Sequence, residues 1–347
     1  MKVIVAPLNW GLGHASRCVP IIQKLINENF TPVIASDGNS LEFLRKEFPE
    51  IEYIELPTYG IKYHKFLKIS LLFKFLKIRK AVREEFKIIS KYIDENSDVV
   101  GLISDNRFGV YSSKIPSVYL THQTKVLSGF LTPFTSLFHT KIIHKFSECW
   151  IPDTRNSLLS RELSNTQNLK IPVKFSGNLS RLKKEKKDIK WDRTILLSGP
   201  EPRRTNLEEV LIKKLSNSNE KILLIQGKIE LKQQWKKIKN LDVVNFMLSS
   251  ELNATLNESR GVIARSGYSS IMDLSLLEKK VVLIPTKGQD EQEYLANYFR
   301  TEYGINSLKE NEIDKINFEE LDFKRLPKTE PNLESDLFDL FKRKRKF

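Results

Sequence analysis

The sequence predicts an α/β protein with two doubly wound domains, each formed by a parallel sheet covered with helices, that face each other across a cleft. Strand and helix patterns alternate through the first half of the chain, and the alternation begins again after a lysine-rich stretch at 181–190. The chain has 347 residues, of which 40% are hydrophobic. This length and composition are sufficient for two domain cores.

In the first half, each predicted strand is a short apolar run rich in β-branched residues, and each predicted helix repeats its apolar residues at helical spacing. Strands are predicted at 2–7, 31–35, 51–56, 99–104, 117–121 and 149–152, with helices at 17–29 and 41–48. This order is typical of βαβ units, which build parallel sheets. It places the first domain at 1–165, followed by a polar linker at 166–190.

The second half repeats the alternation and predicts a second domain at 191–325. Its strands are predicted at 194–198, 221–226, 243–247, 261–264 and 280–285, and its helices near 206–216, 269–278 and 290–302. Residues 326–347 are predicted to form a C-terminal helix and a basic tail.

The positive charge of the chain is concentrated in three segments. The formal net charge is +14, whereas residues 61–91 alone carry +8, residues 181–190 carry +4 and residues 342–346 carry +5. Such localised charge indicates an electrostatic contact surface. Nucleic acid is not the expected partner, because neither a zinc-finger pattern nor an aromatic stacking motif is present.

Cysteine use and hydropathy exclude several classes of protein. The two cysteines, Cys18 and Cys149, cannot form a disulfide framework or a cysteine-rich zinc site, and they favour a reducing, cytoplasmic compartment. The N-terminal apolar run ends by Asn9, too early for a signal peptide. The later apolar stretch 69–76 is interrupted by Lys74, so we expect no membrane span.

The first candidate site follows the first predicted strand and reads NWGLGHASR at 9–17. Its glycines, Gly11 and Gly13, let backbone approach a ligand, and the helix that begins here offers unpaired N–H groups. His14 is suited to act as a general base near pH 7. A local capping or packing role for His14 is the structural alternative.

The same loop also permits a dinucleotide-binding interpretation. Asp37 ends the second predicted strand, where a ribose-binding acid would stand. However, the third glycine of the dinucleotide motif is replaced by Ser16. The loop alone therefore leaves an oxidoreductase open as an alternative.

Two further loops could contact a diphosphate. The turn SGNLSR at 176–181 ends in Arg181, and the loop LSGPEPRR at 197–204 combines the small residues Ser198 and Gly199 with two arginines, of which Arg203 is the first. Small residues leave room for phosphate groups, and arginine neutralises them with paired hydrogen bonds. Considered separately, the turn at 176–181 is a weak signal, and a proline-stiffened surface turn explains 197–204 better than a diphosphate site does.

The fourth motif is the most specific and lies after two consecutive strands of the second domain. RSGYSSIMD at 265–273 opens a helix after a buried strand, and GQDEQ at 288–292 opens the next helix. Their amides, hydroxyls and carboxylates are suited to bind ribose and sugar hydroxyls. The candidate residues are Arg265, Ser266, Gly267, Asp273, Gln289, Asp290, Gln292 and Glu293.

These motifs, in this order, resemble the MurG-like GT-B glycosyltransferases of family 28, and most closely the branch with the loop GLGHA(S/T)R. The resemblance implies that His14 is the catalytic base, that Arg181 belongs to the interdomain motif and that Asp273 stands where the family has a ribose-binding glutamate. It also implies that Gln292 is the first of two sugar-binding glutamines, with Glu293 in place of the second. A last helix that crosses back to the first domain is implied as well, and 332–341 has the apolar spacing for it.

The resemblance implies transfer of a sugar from a nucleotide diphosphate donor, with inversion, to an unidentified hydroxyl acceptor. The donor would be a UDP-hexose or a UDP-N-acetylhexosamine. Because the chain has no Asp-x-Asp motif, we expect no metal, and we expect no other cofactor. The alternatives are a UDP-sugar epimerase on the same fold, an NAD-dependent oxidoreductase and a non-enzymatic basic module at a membrane surface.

The basic segments 61–91 and 342–346 predict contact with an anionic membrane, at the inner face of the cytoplasmic membrane. Residues 61–91 interleave lysines with aromatic and aliphatic residues, as interfacial helices do. Such contact suits a lipid-linked acceptor in the cell envelope. Burial of the same apolar residues in the core is the competing interpretation.

Overall fold

The computed structural model describes residues 1–60, 69–129, 131–330 and 336–342, without the side chains of 69–75 and 319. The chain divides into two compact units. The first contains Met1–Trp10, His14–Leu179 and Asn332–Phe347, and the second contains Gly11–Gly13 and Ser180–Pro331.

The first unit contains a parallel sheet of seven strands. In chain order its elements are β1 (Lys2–Pro7), α1 (Leu12–Asn27), β2 (Thr31–Ser36), α2 (Gly38–Glu47), β3 (Tyr53–Glu55), α3 (Ile69–Glu95), β4 (Val99–Asp105), β5 (Ser117–Leu120), α4 (Thr132–Ile143), β6 (Glu148–Ile151) and β7 (Val173–Phe175). The strand order is β3-β2-β1-β4-β5-β6-β7. The order therefore reverses direction between β1 and β4.

Helix α3 covers this sheet with one face. Ala81, Glu85, Ile89 and Ile93 recur every four residues and are buried, and the two isoleucines pack against the apolar side chains of β1, β2 and β4. The described part of the amphipathic helix expected within 61–91 is α3 (Ile69–Glu95), which continues beyond residue 91. Residues 61–68 lie outside the described part of the chain.

The boundary between the units differs from the predicted linker at 166–190. Strand β7 pairs with β6 in parallel, so the chain up to Leu179 belongs with the first sheet. The sequence did not predict β7, because its three residues are too short to show a periodic pattern.

The C-terminal residues 336–342 pack on the first unit. Phe338 and Phe341 lie on Trp150, with ring centroids 5.9 and 6.1 Å away, and a Cβ on Gly101 would overlap the Phe341 ring. Within the helix predicted at 332–341, the described residues form a turn at 336–338 followed by α9 (Asp339–Lys342). Tight turns at this point direct both aromatic rings toward the core. Residues 331–335 and 343–347 lie outside the described ranges.

The second unit contains another seven-stranded sheet. Its elements are β8 (Trp191–Leu196), α5 (Arg203–Leu215), β9 (Ile222–Ile225), β10 (Trp235–Ile238), β11 (Leu241–Val244), α6 (Ser249–Asn257), β12 (Ser259–Ala264), α7 (Tyr268–Leu276), β13 (Lys280–Leu283), α8 (Asp290–Tyr303) and β14 (Lys324–Arg325). The order is β10-β11-β9-β8-β12-β13-β14. The edge strands β10 and β14 are antiparallel and the others are parallel.

Both units are thus doubly wound, and the predicted fold class is confirmed. Their cores consist of the predicted apolar runs, which are buried on both faces as parallel strands require. Within the described ranges, no helix is both long enough and apolar enough to span a membrane.

Candidate active site

The first candidate site lies at the reversal of strand order in the first unit. Ligands of doubly wound sheets bind outside the carboxyl ends of the strands, at the point where the order reverses. Here β1 pairs with β4, so that Pro7 is opposite Asp105. Gly11, in the loop after β1, has a φ of +83°, which favours glycine, and α1 begins directly after it.

His14 and Asp105 form a close pair at this edge. The Nδ1 atom of His14 lies 2.8 Å from Oδ1 of Asp105. The His14 side chain is 15% exposed and the Asp105 side chain is fully buried. A carboxylate in this position accepts the Nδ1 proton of the imidazole and leaves Nε2 as the basic nitrogen.

Arg17, one helical turn after His14, binds the same carboxylate. Its Nε donates to Oδ2 of Asp105 over 2.6 Å, and its Nη2 donates to Oδ1. Burial by itself would raise the pKa of Asp105, but Arg17 and His14 outweigh burial and lower it to about 2. Asp105 is therefore ionised at neutral pH although it is buried.

A network of side chains extends from this carboxylate to α4. Asn106 donates to Oδ1 of Asp105 over 3.3 Å, and the Tyr119 hydroxyl donates to Oδ1 of Asn106 over 3.0 Å. The same hydroxyl lies 2.8 Å from Nε2 of His139. On the other side, Nη1 of Arg17 lies 2.8 Å from Nδ1 of His122.

The sequence predicts His14 as a site residue, but Asp105, Arg17 and His122 were not predicted. A signal was available, because Asp105 directly follows the strand predicted at 99–104 and His122 follows the one at 117–121.

Asp37 is not placed as a dinucleotide-binding acid would require. Its side chain is buried, and it forms an ion pair with Nη2 of the buried Arg107. Asn9 also donates to Asp37, over 3.1 Å. The carboxylate is thus already bound within the protein, which argues against the oxidoreductase alternative.

The second candidate site lies at the corresponding reversal in the second unit, between β8 and β12. The loop after β8 contains Ser198 and Gly199, which are partly buried, and Gly199 has a φ of +101°. Arg265 follows β12 and donates to the Arg203 carbonyl over 3.2 Å. The two loops therefore lie side by side.

Glu310 connects the two arginines of this site. Its Oε1 lies 2.5 Å from Nη1 of Arg265, and its Oε2 lies 3.5 Å from Nη1 of Arg203. The neighbouring Arg204, expected to assist Arg203 with a diphosphate, is instead buried and ion-paired with Glu201 and Glu208. The helix predicted near 206–216 leaves Arg204 outside it. In the structure α5 begins at Arg203, and this places Glu208 one helical turn beyond Arg204.

Asp273 lies in α7, in contact with the start of this unit. The Ser180 hydroxyl donates to its Oδ1 over 2.5 Å. Burial raises the pKa of Asp273, and the neighbouring charge of Arg181 opposes this. Arg181 itself donates from Nη1 to the Ser249 hydroxyl over 3.3 Å. Asp273 and Arg181 are thus brought together.

The residues at the start of α8 divide into two groups. The Gln292 side chain is buried and accepts from the Thr286 N–H over 2.9 Å, and it donates to Gln289 over 2.5 Å. The main-chain carbonyl of Gln292 accepts from the Ser266 hydroxyl over 2.8 Å. This bond connects α8 to the loop before α7. Asp290 and Glu293 are exposed, and Glu293 accepts from the Gly288 N–H over 2.8 Å.

In the described ranges, no three histidine, cysteine or carboxylate side chains are grouped as a metal site. The first candidate site contains an imidazole with its carboxylate, and the second contains arginines, hydroxyls and helix N-termini.

Comparison with protein families identifies the second unit. Residues 204–329 match the model of the glycosyltransferase family 28 C-terminal domain. The chain is a glycosyltransferase with a family 28 C-terminal domain. The match runs from Arg204 in α5 to beyond β14, and it includes Arg265 and Gln292.

A relative of this glycosyltransferase occurs in the archaeon Methanosarcina acetivorans, where it is described as an uncharacterised glycosyltransferase. The two are 25% identical over 324 residues, covering 84% of this chain and 82% of the relative.

Solved structures confirm the GT-B fold. The Arabidopsis thaliana protein UGT89C1, solved with UDP-L-rhamnose, has a TM-score of 0.60 and 11% identity, covering 90% of this chain and 88% of its own. MurG of Acinetobacter baumannii has a TM-score of 0.51 and 12% identity, covering 90% and 88%. At such identities the similarity concerns the fold.

Proposed function

We propose that this glycosyltransferase moves a hexose or N-acetylhexosamine from a UDP-linked donor to a hydroxyl acceptor, with inversion at the anomeric carbon. The observation that carries the proposal is the His14–Asp105 pair at the strand-order reversal of the first unit. An imidazole held by a buried carboxylate is the arrangement needed to remove a proton from a hydroxyl group.

The reaction is a single displacement. The acceptor oxygen forms a bond to the anomeric carbon while the bond from that carbon to the diphosphate oxygen breaks, and the bonding pair leaves with the diphosphate. His14 takes the acceptor proton on Nε2, and the ionised Asp105 stabilises the imidazolium that results. Gly11 and Gly13 give the acceptor room at the start of α1.

The donor is assigned to the second unit. Arg203 and Arg265, with Arg181, supply positive charge for the diphosphate, and the loop Ser198–Gly199 and the start of α7 after Gly267 supply backbone N–H groups. Asp273 is assigned to the ribose. Gln289, Asp290, Gln292 and Glu293 are assigned to the sugar, with Ser266 positioning Gln292. The UDP-L-rhamnose in the Arabidopsis structure supports a UDP-linked donor.

Titration with nucleotides tests this function. We expect saturable UDP binding by calorimetry, undiminished by EDTA because the diphosphate charge is met by arginines instead of a metal ion. Binding of NADH without UDP would favour an oxidoreductase. Conversion of a UDP-sugar to its epimer, with no transfer to any hydroxyl acceptor, would favour the epimerase.

A membrane surface is proposed as the place of action, at the inner face of the cytoplasmic membrane. Helix α4 exposes Phe134 by 73%, Leu137 by 58% and Phe138 by 51%. Residues 125–147 contain three lysines and no acidic residue. An apolar helix face next to lysines suits the interface of an anionic bilayer.

The basic part of α3 is a second candidate for membrane contact in the same unit. Leu76 is 51% exposed, and Lys77, Arg79 and Lys80 around it are exposed. The C-terminal basic residues 343–346, which were assigned to this surface, lie outside the described part of the chain. A lipid-linked acceptor is the corresponding proposal for the substrate.

A further inference from the structure

Arg17 is a buried charge that faces three acceptor atoms of Asp105 and His122 in the first unit. Its side chain is 1% exposed. Two of its nitrogens, Nε and Nη2, donate to the two oxygens of Asp105, and the third, Nη1, lies 2.8 Å from Nδ1 of His122. A guanidinium can only donate hydrogen bonds. Each of these partners must therefore be an acceptor.

This requirement fixes the state of His122. Its Nδ1 must carry a lone pair toward Arg17, so its ring proton is on Nε2. A second ring proton, on Nδ1, would point at the guanidinium N–H and meet a positive charge. Arg17 thus holds His122 neutral, with a donor at Nε2.

The carboxylate of Asp105 gives His14 the opposite state, because an ionised carboxylate can only accept hydrogen bonds. Its Nδ1 lies 2.8 Å from Oδ1 of Asp105 and 3.0 Å from Nη2 of Arg17. If Nδ1 had no proton, its lone pair would face the carboxylate. With the proton on Nδ1, His14 and Nη2 of Arg17 both donate to Oδ1 of Asp105. Nε2 of His14 is then left as the acceptor.

We propose that Arg17 is a positioning residue that holds His14 and His122 in opposite tautomers, one with a basic Nε2 and the other with an Nε2 donor. The proposal rests on the proposed function, in which His14 takes the acceptor proton. Arg17 acts through Asp105 on His14 and directly on His122. Without the guanidinium of Arg17, the side chains of Asp105, His14 and His122 lose the group that determines where their protons lie.

The other groups around Asp105 do not replace Arg17. Cys18 lies 3.8 Å from Oδ2, and burial raises the pKa of its thiol, so it stays uncharged. Burial also raises the pKa of Tyr119, which reaches Asp105 only through Asn106. Arg17 is the permanent positive charge that the structure shows in contact with this carboxylate.

Nitrogen NMR of the histidine rings tests the proposal without any substrate. The chain has five histidines, so each signal is assigned by single replacement with glutamine. In the unaltered protein we expect the proton of His14 on Nδ1 and that of His122 on Nε2. A proton on Nδ1 of His122 overturns the proposal, whatever the variants do.

Two variants separate fork geometry from charge. In Arg17→Lys the charge remains but the ammonium cannot serve three acceptors in one plane, and in Arg17→Gln the charge is lost. We expect both to release His122 into a mixture of tautomers and to lower kcat about 10–100-fold, with KM for the donor within about twofold. Arg107→Lys is the control, because Arg107 is equally buried but pairs with Asp37 and Glu85. It should leave both tautomers unchanged.

The outcomes are distinct. Unchanged tautomers in a folded Arg17→Lys protein, or changed tautomers with unchanged kcat, overturn the positioning role. If Arg17→Gln does not fold, Arg17→Lys and the unaltered protein decide. If the unaltered protein has the expected tautomers but transfers no sugar from any UDP-linked donor, the proposed function fails while the hydrogen-bond assignment stands.

Discussion

The Nδ1 atom of His14 lies 2.8 Å from Oδ1 of Asp105, although 91 residues separate the two in the chain. The contact exists because β1 and β4 are neighbours in the sheet and Pro7 is paired with Asp105. It joins the first turn of α1 to the end of a strand in the middle of the sheet. A base and the carboxylate that orients it are thereby held on rigid elements, as catalysis by proton transfer requires.

Replacement of His14 is expected to affect turnover more than donor binding. His14→Ala should lower kcat by roughly 10²–10⁴, the usual contribution of general-base catalysis, with the UDP dissociation constant nearly unchanged. Steady-state kinetics and calorimetry measure the two. His144→Ala is the matched control, because His144 accepts a backbone hydrogen bond from Lys170 far along the chain from the site. Equal activity in the His14 variant would remove this residue from the mechanism.

Asp105 is expected to act through the tautomer of His14. In Asp105→Asn the side-chain amide can donate to Nδ1, which places the ring proton on Nε2 and removes the basic lone pair from the acceptor side. We expect kcat to fall by roughly 10²–10⁴. Asp98→Asn is the control, because Asp98 is exposed and directly precedes β4, at the end of the strand opposite Asp105. An Asp105→Asn enzyme that keeps full kcat would contradict the role given to this carboxylate.

The same carboxylate predicts a particular acid sensitivity. Its pKa is about 2 in the folded protein, below the unfolded value of about 3.9. The resulting stabilisation is fully present above pH 4 and is lost as the pH falls from about 4 to about 2. Its size is on the order of 2 kcal/mol. Urea unfolding of the unaltered protein and of Asp105→Asn should show this loss in the former and not in the latter. Parallel pH curves would contradict it.

Asp273 is expected to affect donor binding more than turnover. Asp273→Ala should weaken UDP binding by about 1–3 kcal/mol, because hydrogen bonds from a ribose diol to a carboxylate are charge-assisted. Since Ser180 already donates to Oδ1, Ser180→Ala separates loss of that contact from loss of the ribose contact. Asp322→Ala, an exposed acid of the same unit, is the control. Unchanged affinity in Asp273→Ala would assign this residue to local structure.

The α4 face is expected to control liposome binding. The protein should sediment with anionic liposomes at low salt and be released at high salt, because each lysine near such a surface contributes about 1 kcal/mol and is screened beyond about 8–10 Å. Phe134→Ser with Leu137→Ser should weaken sedimentation. Leu231→Ser is the control, because Leu231 is 91% exposed but belongs to the second unit. Absence of binding at low salt would favour an acceptor in solution.

Several elements could be predicted from the sequence because their signals are local. The strands β1, β4, β5 and β12 stand close to their predicted ranges, since apolar β-branched runs bounded by polar turns define them. Helices α4 and α6 and strands β7, β10 and β14 were not predicted. The short strands are marginal patterns, and α4 carries exposed apolar residues where an amphipathic helix would carry polar ones.

The sequence by itself determined the two doubly wound halves, the position of His14 at the start of α1 and the polar loops that follow β8, β12 and β13. These follow from periodicity and turn chemistry, which depend on neighbouring residues. Only the tertiary structure decided that Arg17 and Asp105 contact His14. It also decided that Arg107 forms an ion pair with Asp37 and that the buried Arg204 forms ion pairs with two glutamates. Such pairs depend on strand order and on which helix face packs inward, and both are set by contacts between residues that are distant in the chain.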